Sequence, residues 1–123
     1  TWDLVIRTAR RARLLGTLAA RLASASSVSP PERARRLLEA AAIESRFRQA
    51  KVRYLLATIA PVISRSASTA LLLKGAAYVM QSRAVAAGRL PADVDVLVPR
   101  ADLQAVESAL LDAGWQYDAI DPY

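Results

Sequence analysis

Up to about residue 66 the apolar side chains recur every three or four positions, and beyond it they gather in short unbroken runs. The first spacing belongs to helices packed through one face, the second to short buried strands. A chain that makes this switch has few architectures open to it. The order reads as helices first, then strand, helix, strand, helix, strand, which is α+β or α/β with a small mixed sheet. At 123 residues the chain is long enough for one modest domain with a real core.

Within the helical part, residues 2–24 read as one helix, with Leu4, Thr8, Leu15, Leu18 and Leu22 on its apolar face. Ser29-Pro30-Pro31-Glu32 has the pattern of a capping box, with Ser29 at the N-cap, Pro30 in the first turn and Glu32 three residues on. The helix that follows shows an apolar stripe of Ala40, Ile43, Phe47, Ala50, Tyr54 and Ala57. Pro61 is expected to kink or restart it before it ends near residue 66.

After the switch, residues 69–73 form an apolar run ended by Lys74-Gly75, which predicts a buried strand and a tight turn. Residues 76–87 predict a helix closed by Gly88. Residues 93–98 predict a second strand stopped by Pro99. Residues 101–113 predict an amphipathic helix, with Leu103, Val106, Leu110 and Leu111 inward and Gly114 as its stop. A third strand is expected to begin at Trp115-Gln116-Tyr117.

Composition narrows the chemistry. Hydrophobic residues make up 54% of the chain and the mean hydropathy is +0.19, which argues against wholesale disorder. There is no cysteine, so disulfides and thiolate metal sites are excluded, and a cytoplasmic setting fits. There is no histidine either, so the commonest general base is missing and catalysis must rest on carboxylates, Lys, Arg, Tyr or hydroxyls. The longest charge-free stretch, residues 54–64, is too short to span a bilayer. The chain starts at Thr1 and stops at Tyr123 without an ending signal, so it reads as a piece of a longer protein.

The net charge of +6 is unevenly spread. Residues 1–66 carry 13 Lys/Arg against 4 Asp/Glu, or +9, and residues 67–123 carry 4 against 7, or −3. A basic face beside an acidic, metal-holding site has this pattern, and so does an ordinary set of solvated helix faces. Nucleic-acid binding through the arginines is possible but not favoured, because they spread around the helices instead of forming one stripe with interleaved aromatics.

The acidic half holds the informative segment. In Asp93-Val94-Asp95 two carboxylates one residue apart would project from the same side of a strand, their Cα atoms about 6.6–7 Å apart. That spacing suits two metal ions about 3.5–4 Å apart, as phosphoryl-transfer sites require. It equally suits a strand entrance facing water. At Lys74-Gly75, glycine would allow a tight turn, the amides after it could hold a phosphate, and Lys74 could add a point charge. An ordinary turn would have the same sequence.

Taken together, the run LLLKGAAY, then RLPADVDVLVPRADL, then a helix ending in Gly114-Trp115 resembles the uncharacterised nucleotidyltransferase family of the polymerase-beta-like superfamily. Lys74-Gly75, Arg89, Asp93, Asp95, Val98 and Gly114-Trp115 match its pattern, over about residues 67–117. Residues 1–66, read above as an N-terminal helical region, match the family only in being helical. The resemblance implies that residues 67–123 are the N-terminal part of a nucleotidyltransferase core, truncated at its C-terminus. It further implies transfer of a nucleoside monophosphate from an NTP to an unidentified hydroxyl acceptor, a small molecule or a protein. Asp93 and Asp95 would hold two Mg²⁺ ions, with Lys74, Gly75 and Arg89 on the nucleotide. Arg89 would contact phosphate or neutralise the acidic pair; Tyr78 and Trp115 read as core aromatics ahead of base-stacking platforms, because aromatics so often fill cores. Two departures stand out. Ala76 follows Gly75 where the wider superfamily has Gly-Gly or Gly-Ser, and the third carboxylate of the superfamily is expected beyond Tyr123. A non-catalytic module that keeps the fold with a degenerate site, or a basic nucleic-acid-binding helical domain, is the alternative.

Overall fold

The computed structural model describes residues 1–25 and 27–118. It is mixed α+β, mostly helical, in the predicted order. The helices are α1 (Trp2–Arg11), α2 (Leu15–Ala23), α3 (Glu32–Ser66), α4 (Lys74–Met80) and α5 (Leu103–Asp112), with strands β1 (Leu71–Leu73) and β2 (Asp95–Leu97). Short 3₁₀ turns cover Ala84–Ala86 and Arg100–Asp102.

The single helix predicted for residues 2–24 is broken in two. Arg13 adopts φ 58, the Leu14 amide reaches back to the Ala9 carbonyl at 2.8 Å, and the Arg13 amide binds the Arg10 carbonyl at 3.0 Å. These two bonds make a Schellman motif with an arginine in the left-handed position that glycine usually takes. The break resets the helical register. Trp2, Ile6 and Ala9 therefore line the inner side of α1, and Leu4 is exposed.

The start of α3 also differs from the capping box. Pro31 is the N-cap, at φ −61 and ψ 157, and makes no side-chain cap bond. Pro30 precedes a proline and is disfavoured in the helical region, so the first turn cannot begin there. Glu32 binds Arg35 and Arg36 instead, and Glu44 binds Arg48 at 3.1 Å. Each such pair supports an exposed helix by about 0.3–0.5 kcal/mol. The helix runs unbroken through Pro61 for 35 residues, about 52 Å, so no restart occurs there.

Which face of α3 is buried reverses the expectation. Ala34, Leu38, Ala41, Val52, Leu56, Ile59 and Ile63 point inward, whereas Ile43, Phe47 and Tyr54 are exposed. The helix carries two apolar stripes about half a turn apart. The one rich in Leu, Ile and Val is taken into the core; the one with the aromatics faces out.

This inner face serves two cores. Its first half packs with Ile6, Leu15 and Ala19, and its second half with Ala76, Val106, the strand residues Leu72 and Val96, and Val94 and Val98 on either side of β2. Between them lie Ser45 and Gln49, where α3 meets backbone instead of side chains. Buried Ser45 donates to the Arg89 carbonyl at 2.8 Å, and Gln49 donates to the Ala86 carbonyl at 2.7 Å. The same loop is held from the other side by α2. The backbones of Gly16 and Gly88 touch so closely that a methyl group on either would overlap the other.

The sheet of the described residues is one antiparallel pair, with Leu71 opposite Leu97, Leu72 opposite Val96 and Leu73 opposite Asp95. Leu72 and Val96 turn to the core, while Leu71 and Leu97 lie on the exposed side. Both strands are shorter than predicted. The third strand expected at residues 115–117 is not formed, because the Trp115 amide is used to close α5 on the Leu110 carbonyl at 3.0 Å. Gly114, at φ 94, is the helix stop the sequence indicates. In α5 Val106 is buried and Leu110 partly so, but Leu103 and Leu111 are exposed, against expectation. The helix predicted to reach residue 87 stops at Met80. Ser82 takes φ 50 and the Arg83 amide binds the Tyr78 carbonyl at 3.1 Å, a second Schellman closure without glycine. Gly88, at φ 73, instead turns the chain after the 3₁₀ segment.

Candidate functional site

Asp95 is the first residue of β2 and faces Leu73, the last residue of β1. The next residue, Lys74, begins α4, so the strand-to-helix turn lies directly beside the carboxylate. The Lys74 Nζ is 3.1 Å from Asp95 Oδ2. The carboxylate is 35% exposed and the lysine 74%, so this is a surface pair worth about 0–1 kcal/mol.

The backbone explains how Lys74 gets there. It sits at φ 54, a left-handed conformation costing a non-glycine residue roughly 1–2 kcal/mol. The sharp reversal expected of Gly75 is therefore made by Lys74, which aims its side chain back over β2. Gly75 itself is not in the left-handed region, and an added methyl would meet only the Pro91 Cβ, at 3.7 Å. That contact places the connector 91–94 beside the turn. Asp93, two residues beyond Pro91, has its Cα within about 7 Å of the Pro91 Cα by chain geometry alone. Asp93 is exposed and precedes the ladder, so strand pairing holds only Asp95 in the extended register on which the shared-side argument relied.

Arg89 lies beside α4. Its guanidinium lies 5.5 Å from the ring centroid of Tyr78, one helical turn after Lys74 on α4. Among the described residues Arg89 forms no ion pair with Asp93, and the cation paired with Asp95 is Lys74. Tyr78 and Trp115 are 39% and 36% exposed, so neither is a core aromatic. Tyr78 is instead the platform under Arg89.

Three supports of this arrangement escaped the sequence reading. Ser45 and Gln49 fix the backbone of the Arg89 loop. Arg53 donates to the Val79 carbonyl at 2.9 Å and so holds the C-terminal end of α4. Ser45 alone left a signal, a hydroxyl within the buried stripe of Leu38, Ala41 and Val52. Further off, Asp102 accepts bonds from the Ser68 hydroxyl at 2.6 Å and the Ser68 amide at 2.8 Å. These bonds favour the charged carboxylate and hold its pKa below the usual 3.8. The Tyr117 hydroxyl donates to Glu107, which raises the phenol pKa above 10.0.

The donor set suits a hard divalent cation. Two carboxylates one residue apart, partly open to water, match Mg²⁺, which takes a few carboxylate oxygens and completes its shell with water and phosphate. No group of three or more acidic residues converges among the described residues, so further ligands would come from those other sources or from elsewhere. No helix among the described residues is long and apolar enough to cross a membrane.

No curated protein and no solved structure matches the chain. A family model described as uncharacterised nucleotidyltransferase matches residues 1–123, so the likeness read at residues 67–117 extends over α1, α2 and α3 as well. The chain belongs to this uncharacterised nucleotidyltransferase family.

Proposed function

We propose that the protein is a Mg²⁺-dependent nucleotidyltransferase that moves a nucleoside monophosphate from an NTP to an acceptor hydroxyl. The observation that carries the reading, beside family membership, is the seating of Asp95 against the Lys74 turn. A carboxylate, a cation and an unhindered backbone at Gly75 meet within one strand-to-helix junction.

In this reading the acceptor oxygen bonds to the α-phosphorus, the bond from that phosphorus to the α–β bridging oxygen breaks, and pyrophosphate leaves with the electron pair. The acceptor proton passes to water or to a carboxylate. Asp93 and Asp95 would hold the metal, two ions in the full site, which would supply charge neutralisation and a lowered acceptor pKa when bound. Lys74, ion-paired with Asp95, would offer its charge to a phosphate oxygen of the nucleotide. Gly75, lacking a side chain, lets phosphate oxygens approach its backbone. Arg89, over the Tyr78 ring and with its carbonyl bound by Ser45, would present a guanidinium to the same polyphosphate. The acceptor is a small molecule or another protein, and the lack of cysteine fits work in the cytosol.

Calorimetric titration of the chain with ATP, with and without Mg²⁺, tests the proposal. Binding should require Mg²⁺ and disappear in the double variant Asp93→Asn, Asp95→Asn. ATP affinity unaltered by EDTA would refute it.

A further inference from the structure

Alongside α3 runs a groove that the nucleotidyltransferase reading does not use. It consists of two successive cavities of about 370 and 430 Å³ that share Glu44 and Arg48 as walls. On one side the lining steps along α3 through Leu37, Ala41, Glu44, Phe47, Lys51 and Leu55, at intervals of three and four residues. On the other side stand Leu15 of α2 and the connector Leu90-Pro91-Ala92. From Leu37 to Leu55 the groove extends about 27 Å along the helix axis.

The cavity beside Phe47 and Leu55 is mainly apolar, the one beside Leu15 mixes apolar and charged walls, and the rim is cationic. Arg48 is cancelled by Glu44 at 3.1 Å. Arg10, Arg13 and Lys51 remain, and none of them has an ion pair among the described residues. Beside the groove the outer face of α3 continues apolar, with Ile43, Phe47 and Tyr54 exposed by 59%, 70% and 75%. A helix apolar on two opposite faces is ordinarily covered on both.

We propose that this groove binds an amphipathic helix with an apolar face edged by Asp or Glu, supplied by a protein partner. Apolar side chains of that helix fill the two cavities, and its acidic edges meet Arg10, Arg13 and Lys51. A lining at helical intervals receives the ridge of a second helix lying alongside, as in helix-in-groove recognition. A flat anionic bilayer would leave both concavities unfilled. A polynucleotide would set its phosphates over Leu, Pro and Val and find Phe47 as the only aromatic in the groove. A second copy placed face to face would oppose the same unpaired cations. The inference stands without the assignment of the acidic site, although the Pro91-Ala92 wall leads directly to Asp93.

The test uses the chain and a dye-labelled synthetic peptide of about 18 residues, with Leu along one helical face and Glu on both flanks, read by fluorescence anisotropy. Micromolar binding is expected, weakened about fivefold as salt rises from about 50 to 300 mM and about tenfold by Lys51→Glu with Arg13→Glu. Phe47→Ser should weaken it without altering the salt response. The control Arg21→Glu with Arg33→Glu, which changes net charge equally outside the groove, should leave it unaltered. Thermal melts establish that every variant folds. The proposal is overturned by no binding up to about 1 mM, or by equal binding of a peptide with Lys in place of Glu. Equal loss in the control, or tighter binding to phosphatidylserine vesicles or a single-stranded RNA oligonucleotide, overturns it too. Self-association in sedimentation that Lys51→Glu with Arg13→Glu abolishes overturns it as well, since the occupant is then another copy.

Discussion

Three glycines in this chain separate backbone strain, steric collision and function, and substituting each by alanine should give three different results. Gly88 has φ +73, and a methyl there would run into the backbone of Gly16 and Thr17. Gly114 has φ +94, but a methyl would meet nothing within 4 Å. Gly75 has neither handicap, with only the Pro91 Cβ at 3.7 Å. The left-handed conformation costs alanine about 1–2 kcal/mol, so Gly114→Ala should lose about that much. Gly88→Ala carries the same cost plus about 1–3 kcal/mol for forcing α2 off the loop. Its total of about 2–5 kcal/mol is a large share of a typical stability of about 5–15 kcal/mol. Gly75→Ala should stay within about 1 kcal/mol of the parent, since alanine favours the helix whose first turn holds it. Equilibrium urea unfolding followed by circular dichroism measures all three. At this chain length each kcal/mol also moves the melting temperature by about 4 °C. The reasoning fails if Gly88→Ala is no worse than Gly114→Ala, because the Gly16–Gly88 contact then does not hold the loop. If Gly75→Ala is stable yet binds ATP as well as the parent, the backbone at 75 is not where the phosphates approach.

Ser45→Ala removes the hydroxyl that fixes the Arg89 carbonyl and leaves only the longer Gln49 bond at 3.3 Å. It should cost about 1–2 kcal/mol and speed amide exchange in the Arg89 loop, measured by hydrogen exchange; unaltered exchange would contradict the anchoring role. Lys74→Met frees Asp95 of its counter-ion, so Mn²⁺ alone should bind about two- to fivefold more tightly by electron paramagnetic resonance, while the metal–ATP complex binds more weakly. Unaltered or weaker Mn²⁺ binding would show that the pair does not compete with the cation. Asp102 has its pKa lowered by Ser68, so the stability it contributes is present above its ordinary value of 3.8 and is lost as pH falls through the lower, folded-state value. Ser68→Ala should make stability less steep in pH below about 4 in acid unfolding, and parallel curves for the two proteins would oppose this.

What the sequence disclosed about this fold was whatever a few neighbouring residues decide among themselves. The order of elements, the turn at Lys74-Gly75, the acidic start of β2 and the glycine stop of α5 are of that kind. Whatever depends on comparison between distant segments was hidden. Residues 40–57 carry one apolar stripe and residues 38–63 another, and only the arrival of α2, α5 and the sheet decides that Leu38, Leu56 and Ile63 go in while Phe47 and Tyr54 stay out. Arg13 and Ser82 end helices in a conformation no propensity assigns to them, because the packing beyond the turn compensates for the strain.

The candidate site divides along the same line. That Asp95 is acidic and Lys74 basic is plain from the chain, but that they touch follows from antiparallel register, since Leu73 must face Asp95 before Lys74 can reach back. The strain at Lys74 has a consequence for mechanism. The left-handed backbone of Lys74, at φ 54, directs its side chain toward β2, where the solvent-exposed ammonium pairs with Asp95. Gly75 would make the same turn with less strain but with no cation to deliver. In the proposed mechanism the lysine, one residue ahead of the flexible position, would join the acidic strand to the nucleotide's phosphates, and that would give the order Lys74-Gly75 its physical meaning.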